Sequence, residues 1–580
     1  MSVRQRFVHV VIALVLAAVG AVGFVAAQPK DEKPTSFQVK IDLGVRVTMR
    51  DGVKLVANVF RPDADGRFPV IVVRTPYGKN GHYAASRWFA ERGYACVAQD
   101  CRGRHDSEGE FRPLRDDAND GYDTIEWAAA QPWSDGNVGT IGGSYLGWNQ
   151  WLAATLRPPH LKCMIPLVSP PDPFYNLPYQ YGAMSPMHFD WVNLTSDHDN
   201  QESDQLDREK IYKHLPLLTL DESAGRKSKT WREWVEHSAF DDYWKAISYE
   251  AHYDQIDLPV LNISGWYDDD QPGTTRNFAA MRKLGRANQR LLMGPWPHSV
   301  NSKTKLGILD FGPSAQIDLR ELEKRRFDRW LKGIPNGVDK ESPVRLFVMG
   351  ANQWRNEDDW PLKGTEWTNF YFHSGGRANS LYGNGTLTRE TPGEEKPDRY
   401  TYNPEQATPF ITELSSAQLG GPDDYRPVQR RDDALIYTTE PFDKDTEVTG
   451  PIVVKLYAAT SARDTDWTAM LCDVYPDGYA LRLCDGIMRA RYRESLEKPT
   501  LVEPGKVYQY TIDCWATSVQ IKKGHRLRVQ IASAAFPKFD RNPNTGETPG
   551  MSAEIRTADQ TVYHDREQPS HIVVPIIPAR

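Results

Sequence analysis

Across residues 37–170 short apolar runs alternate with amphipathic stretches. Lys54–Phe60, Phe68–Arg74, Tyr94–Gln99, Val138–Ile141 and Cys163–Leu167 read as strands, and their alternation with helical patterns predicts a mostly parallel sheet with helices on both faces. Val260–Ser264 and Arg290–Met293 resume that pattern after a long interruption, with Phe278, Met281 and Leu284 marking one face of the helix between them. The sheet domain is therefore expected over residues 37–170 plus 258–335. Between its two parts, over residues 171–257, strand signals vanish while Trp, Tyr, Met, His and charged residues become dense, including a helical stretch around Thr230–Tyr249. This segment reads as an inserted helical cap. After a charged helix around Leu319–Leu331, ending at Gly333, the chain turns into short β-rich runs such as Val344–Met349, Pro451–Ala458, Val507–Asp513, Leu527–Ala532 and His571–Ile577. An all-β sandwich or jelly roll is expected over residues 342–580.

Arg4 and Arg6, the apolar run Val8–Val25 and the Val25-x-Ala27 ending form a secretory signal pattern over residues 1–27. Its removal predicts a secreted or periplasmic protein with no stable membrane anchor. Losing those two arginines takes the formal charge from -7 to -9, which excludes the basic footprint of a nucleic-acid binder. The six cysteines are too few for a disulfide scaffold. Cys472 and Cys484 flank Pro476-Asp477-Gly478, and a three-residue loop centred on Gly478 would set them opposite each other, making them a candidate disulfide.

The candidate chemistry starts at Thr140-Ile141-Gly142-Gly143-Ser144-Tyr145-Leu146-Gly147, which follows a β-run and opens a helix marked by Trp148, Leu152 and Leu156. A nucleophilic serine at a strained strand-to-helix turn needs this setting, although the last glycine falls one residue late for G-x-S-x-G. A base and a carboxylate are expected on loops after later strands. Asp268 follows Val260–Ser264 in Gly265-Trp266-Tyr267-Asp268, and His298 follows the next strand in Gly294-Pro295-Trp296-Pro297-His298. The order Ser144, Asp268, His298 is that of an α/β-hydrolase. One oxyanion donor is the Tyr145 N–H, and a second is expected from the loop Arg74-Thr75-Pro76-Tyr77-Gly78-Lys79.

The chain resembles the CocE/NonD hydrolases, which include cocaine-esterase-like enzymes, α-amino-acid ester hydrolases, glutaryl acylases and Xaa-Pro dipeptidyl-peptidases. The likeness rests on Arg74-Thr75-Pro76-Tyr77, Asp100-Cys101-Arg102-Gly103, Ser107-Glu108-Gly109-Glu110-Phe111, the Ser144, Asp268 and His298 segments, and Phe536-Pro537-Lys538-Phe539-Asp540-Arg541-Asn542. It implies an α/β-hydrolase domain with a helical cap and a C-terminal jelly roll, and it assigns the Tyr77 hydroxyl to the oxyanion. The shifted Gly147 matches the family's own form of the turn. The resemblance also bears on substrate: ester hydrolases that take an ammonium group place acids after the triad aspartate, where this chain has Asp270 and then Gln271.

Serine hydrolysis of a small-molecule ester or amide is the function expected. Trp148, Trp266, Asp269 and Asp270 are candidate pocket residues. No ligand spacing suggests a metal or cofactor, and Asp540, Asn542 and Asn544 fit a structural turn better than a calcium loop. The alternatives are an Xaa-Pro dipeptidyl-peptidase and a catalytically inactive carbohydrate-binding protein. An oligomer is left open.

Overall fold

The computed structural model describes residues 36–414 and 418–579; the apolar leader expected at residues 1–27 lies outside them. Phe68–Thr75 and Ala95–Asp100 are buried along almost their whole length, which is what near-continuous apolar runs achieve in a parallel sheet covered on both faces. Ten strands lie side by side in the order Val39–Thr48, Lys54–Pro62, Ala95–Asp100, Phe68–Thr75, Ser134–Gly143, Leu161–Leu167, Val260–Tyr267, Gln289–Pro297, Val344–Val348, Gln353–Glu357. Pairing is parallel from Ala95–Asp100 through Val344–Val348 and antiparallel at both edges. Val344–Val348, expected in the C-terminal domain, instead extends this first sheet. Its run follows the helix Leu319–Trp330 and closes a strand-helix-strand unit with Gln289–Pro297, and a buried parallel strand has the same apolar pattern as a sandwich strand.

The helix Tyr145–Thr155 is buried on all sides. One side meets the sheet and another meets the inserted segment, where Trp148 Nε1 donates to the Ile247 carbonyl at 3.0 Å and Trp151 stacks on Tyr249 at 5.4 Å. Leu156 and Leu284, expected on buried helix faces, are 39% and 46% exposed because each is the residue at its helix's C-terminal cap. The helical stretch expected around Thr230–Tyr249 is two short helices, Lys229–Glu236 and Asp242–Lys245. They are separated where the Asp241 side chain accepts from the Tyr243 N–H and starts the second. A two-strand ribbon, Tyr179–Gln180 with Ala183–Met184, also occurs in this segment.

Eleven strands make the C-terminal jelly roll, and its long strand Thr446–Thr460 pairs with Tyr508–Ile521, Ala558–Tyr563 and His571–Ile577. The candidate disulfide is absent: Cys472 and Cys484 are both free and buried. A bulge sets Leu471 opposite Cys484 and Cys472 opposite Arg482. The extra residue turns the two thiols to opposite faces, into different apolar clusters.

Candidate active site

Ser144 caps the buried helix with φ 60 and ψ -125, a conformation costly for a non-glycine residue and typical of functional turns. The close packing around it explains its glycines. A Cβ on Gly142 would stand 2.5 Å from the Leu146 Cβ, and one on Gly147 would stand 2.8 Å from the Ser169 Cβ and 2.9 Å from the Leu167 carbonyl. The Tyr145 N–H belongs to the first turn of the helix, where no carbonyl a turn earlier can accept it. Below, the Tyr145 hydroxyl donates to Asp117 Oδ2 at 2.5 Å, and Asp117 Oδ1 accepts from Arg74 at 2.9 Å. Arg74 thus braces the turn from inside.

Tyr77 sits on the loop after Phe68–Thr75. Arg104 holds the Pro76 carbonyl at 2.8 Å, Asn200 holds the Tyr77 carbonyl at 3.0 Å, and Asp100 accepts from the Lys79 N–H at 2.6 Å. The Trp191 indole donates to the Tyr77 hydroxyl at 2.9 Å, which leaves the phenol proton for another acceptor. Burial pushes the Tyr77 phenol up to about 12, against the Trp191 hydrogen bond that lowers it, so it keeps its proton near neutral pH.

His298 follows the strand Gln289–Pro297, and its Nδ1 lies 2.7 Å from Asp268 Oδ1. Asp268 is 1% exposed, and its other oxygen accepts from Ser264 Oγ at 2.5 Å. Gln418, from the C-terminal domain, accepts from the His298 N–H at 2.9 Å and donates to the Tyr267 carbonyl at 2.8 Å. Desolvation works against a charged imidazole, but the Asp268 hydrogen bond and nearby carboxylates outweigh it and raise the His298 pKa. Burial and mutual repulsion push Asp270 well above the usual carboxylate range, and burial also raises Asp269.

Tyr77, Ser144, Tyr145, Trp148, Asp269, Asp270 and His298 line one pocket of about 700 Å³, part of it open to solvent. Trp266 does not line it. Its indole donates to the Phe347 carbonyl at 2.7 Å and its ring packs against Trp360, so this candidate pocket residue is a core side chain beneath the sheet's end. Asp269 Oδ1 comes within 3.6 Å of the imidazole without a hydrogen bond of its own. Asp268, Asp269 and His298 have donor atoms close enough together to hold an ion, but the Asp268–His298 hydrogen bond already uses the two central ones. Asp540 and Asn542 serve structure: Asp540 accepts from Arg489 at 2.8 Å, and Asn542 donates to Asp466 at 2.9 Å.

The sequence pattern missed Trp191, His188 and Gln418. Trp191 and His188 sit in the inserted segment, and Gln418 lies some 120 residues beyond His298; no local motif marks any of them.

Sheet, turn and pocket define the class, a serine hydrolase on the α/β-hydrolase fold. Residues 51–300 match the family described as X-Pro dipeptidyl-peptidase (S15 family), and residues 336–573 match its C-terminal non-catalytic domain. The cocaine esterase of Rhodococcus sp. (strain MB1 Bresler) is 40% identical over 571 residues, covering 92% of this chain and 98% of that protein. An α-amino acid ester hydrolase structure is 28% identical with TM-score 0.82, covering 96% of this chain and 99% of its own. An aminopeptidase from a marine sediment Thaumarchaeota archaeon also has TM-score 0.82, at 26% identity and coverage of 95% and 99%. The chain belongs to the CocE/NonD family of serine hydrolases.

Proposed function

We propose that the protein hydrolyses a carboxylic ester, or a related amide, through an acyl-enzyme on Ser144. The observation that carries this is the strained Ser144 turn opening into the same pocket as the Asp268-held His298. His298 takes the Ser144 proton as Oγ attacks the carbonyl, and Asp268 stabilises the imidazolium. The oxyanion is held by the Tyr145 N–H and the Tyr77 hydroxyl, aimed where charge develops. The imidazolium then protonates the leaving group; a water, deprotonated by His298, attacks the acyl-enzyme and frees Ser144. Ester is the preferred class, supported by the esterase relative and by a wall of Trp148, Trp234 and Trp244 suited to a bulky apolar group. Export is proposed on the leader alone.

The test is turnover of a short panel of p-nitrophenyl esters by the wild type and Ser144→Ala, with intact mass after a serine-directed phosphonate. Turnover and a single adduct, both lost in the variant, are expected; equal activity in both proteins would sink the assignment.

A further inference from the structure

His188 ends the short turn Pro186–His188 that feeds the helix Phe189–Leu194. One helical turn later Trp191 grips the Tyr77 hydroxyl, so the segment that holds His188 is fixed to the reaction site. The imidazole lines the same pocket as Ser144 and His298 and is only 8% exposed. Its Nδ1 has no side-chain partner and no hydrogen bond of good geometry, although the Ser185 backbone interacts with the ring, and the buried Ser185 hydroxyl is unpartnered as well. Buried side-chain polar atoms are usually satisfied, and this one differs from unpaired core atoms such as Trp467 Nε1 and the Tyr402 hydroxyl in belonging to a ring that lines the reaction pocket.

The surrounding wall makes the residue stand out further. Leu114, Trp148, Leu177, Trp234, Trp244 and Ile247 form apolar surface there, and a Phe or Leu at position 188 would pack it with no polar group to desolvate. Burial, together with the nearby His298, holds the ring neutral, its pKa lowered to about 4. Among the described residues no carboxylate pairs with it, in contrast to His298, so it lacks the partner a general base uses to steady its charged form.

Resting on the ester-hydrolase reading of the pocket, we propose that His188 is a substrate-positioning residue whose imidazole hydrogen-bonds a neutral polar substituent, a hydroxyl in the first instance, on an otherwise apolar substrate. A site with a buried polar group of this kind discriminates because an analogue lacking the partner leaves that group unpaired. The substrate class implied is an uncharged, hydroxyl-bearing aryl or arylalkyl ester.

The experiment separates recognition from chemistry. Binding of methyl phenylacetate, its three ring-hydroxylated isomers and methyl mandelate to Ser144→Ala is followed by tryptophan fluorescence, and again in Ser144→Ala combined with His188→Phe, His188→Leu or His188→Asn. At least one hydroxylated ligand is expected to bind about tenfold tighter than the parent. The Phe and Leu variants should erase that ratio while holding the parent ligand within about threefold, and Asn, which keeps a hydrogen-bonding group, should restore part of it. If the Phe variant does not fold, the Leu variant gives the ratio. A preference that survives loss of the imidazole, or the absence of any hydroxyl preference in the parent protein, overturns the proposal. Turnover of the same esters by the wild type reports separately on Ser144: a binding preference without turnover retains the His188 assignment and removes the ester-hydrolase reading.

Discussion

Tyr77 looks like any loop aromatic until Trp191 is placed against it. Donation from the Trp191 indole occupies an acceptor position on the phenol oxygen, fixing where the O–H proton can point. Tyr77→Phe should therefore lower kcat about 100- to 1000-fold with KM nearly unchanged, the signature of a donor used in the transition state. Steady-state kinetics on one activated ester checks this. Asp268 gives a second prediction, in pH. As the proposed base His298 would act only when neutral, and Asp268 raises its pKa, so kcat/KM should rise with pH through that elevated ionisation. In Asp268→Asn the largest raising influence is removed while Asp269 and Asp270 remain, so the acid limb should move to lower pH as the rate falls. A limb that stays in place in the variant would show that another group sets it. At this scale the sequence order of Ser144, Asp268 and His298 anticipated their placement, Ser144 and His298 on one pocket with Asp268 against the imidazole. It was uninformative where only three-dimensional packing decides, as with Trp266, whose neighbours Phe347 and Trp360 come from a distant segment.

Among the elements, the strand-to-helix turn shows why the motif departs from the usual spacing. Leu146 packs inward over Gly142, while the next residue faces the neighbouring strand, so the glycine is required at 147 and not at 146. Gly147→Ala would drive a methyl against the Leu167 carbonyl and Ser169. Overpacking of that kind costs about 1–3 kcal/mol, and the Tyr145 N–H would be displaced with the helix start. The expected outcome is a lower denaturation midpoint together with a reduced kcat, although Ser144 and His298 are untouched; urea unfolding and kinetics on the same preparation measure both. Element identity was readable in the sequence wherever a run was long and apolar. What could not be read was which sheet a run joins, because Val344–Val348 has the pattern of a sandwich strand, and how a hairpin is registered, because the bulge at Leu471 and Cys472 has no sequence mark.

For the whole molecule, the C-terminal domain is part of the active-site architecture. Gln418 holds the His298 backbone, and Asp540 holds both Arg489 and the Met184 N–H in the inserted segment, at 2.8 and 2.9 Å. Gln271 belongs to the same join. It follows Asp270, at the position where ammonium-binding relatives are expected to carry an acid, and its amide makes two bonds to the jelly roll. Nε2 donates to the Ala516 carbonyl at 2.7 Å, and Oε1 accepts from the Ala516 N–H at 3.1 Å. A side-chain amide satisfies both backbone groups of Ala516, whereas a carboxylate only accepts. Gln271→Glu would thus leave the buried Ala516 carbonyl facing an oxygen, beside Asp269 and Asp270 in a site 1% exposed. Loss of the bond and the charge conflict should cost about 1–3 kcal/mol or raise the new carboxyl's pKa until it is protonated. The expected result is a lower melting temperature that recovers as pH is lowered, because protonation restores a donor at that position. Specificity for esters bearing an ammonium group should not increase. A variant with unchanged stability and a gain on such esters would instead mean that position 271 faces the substrate and that the contact with the jelly roll is incidental.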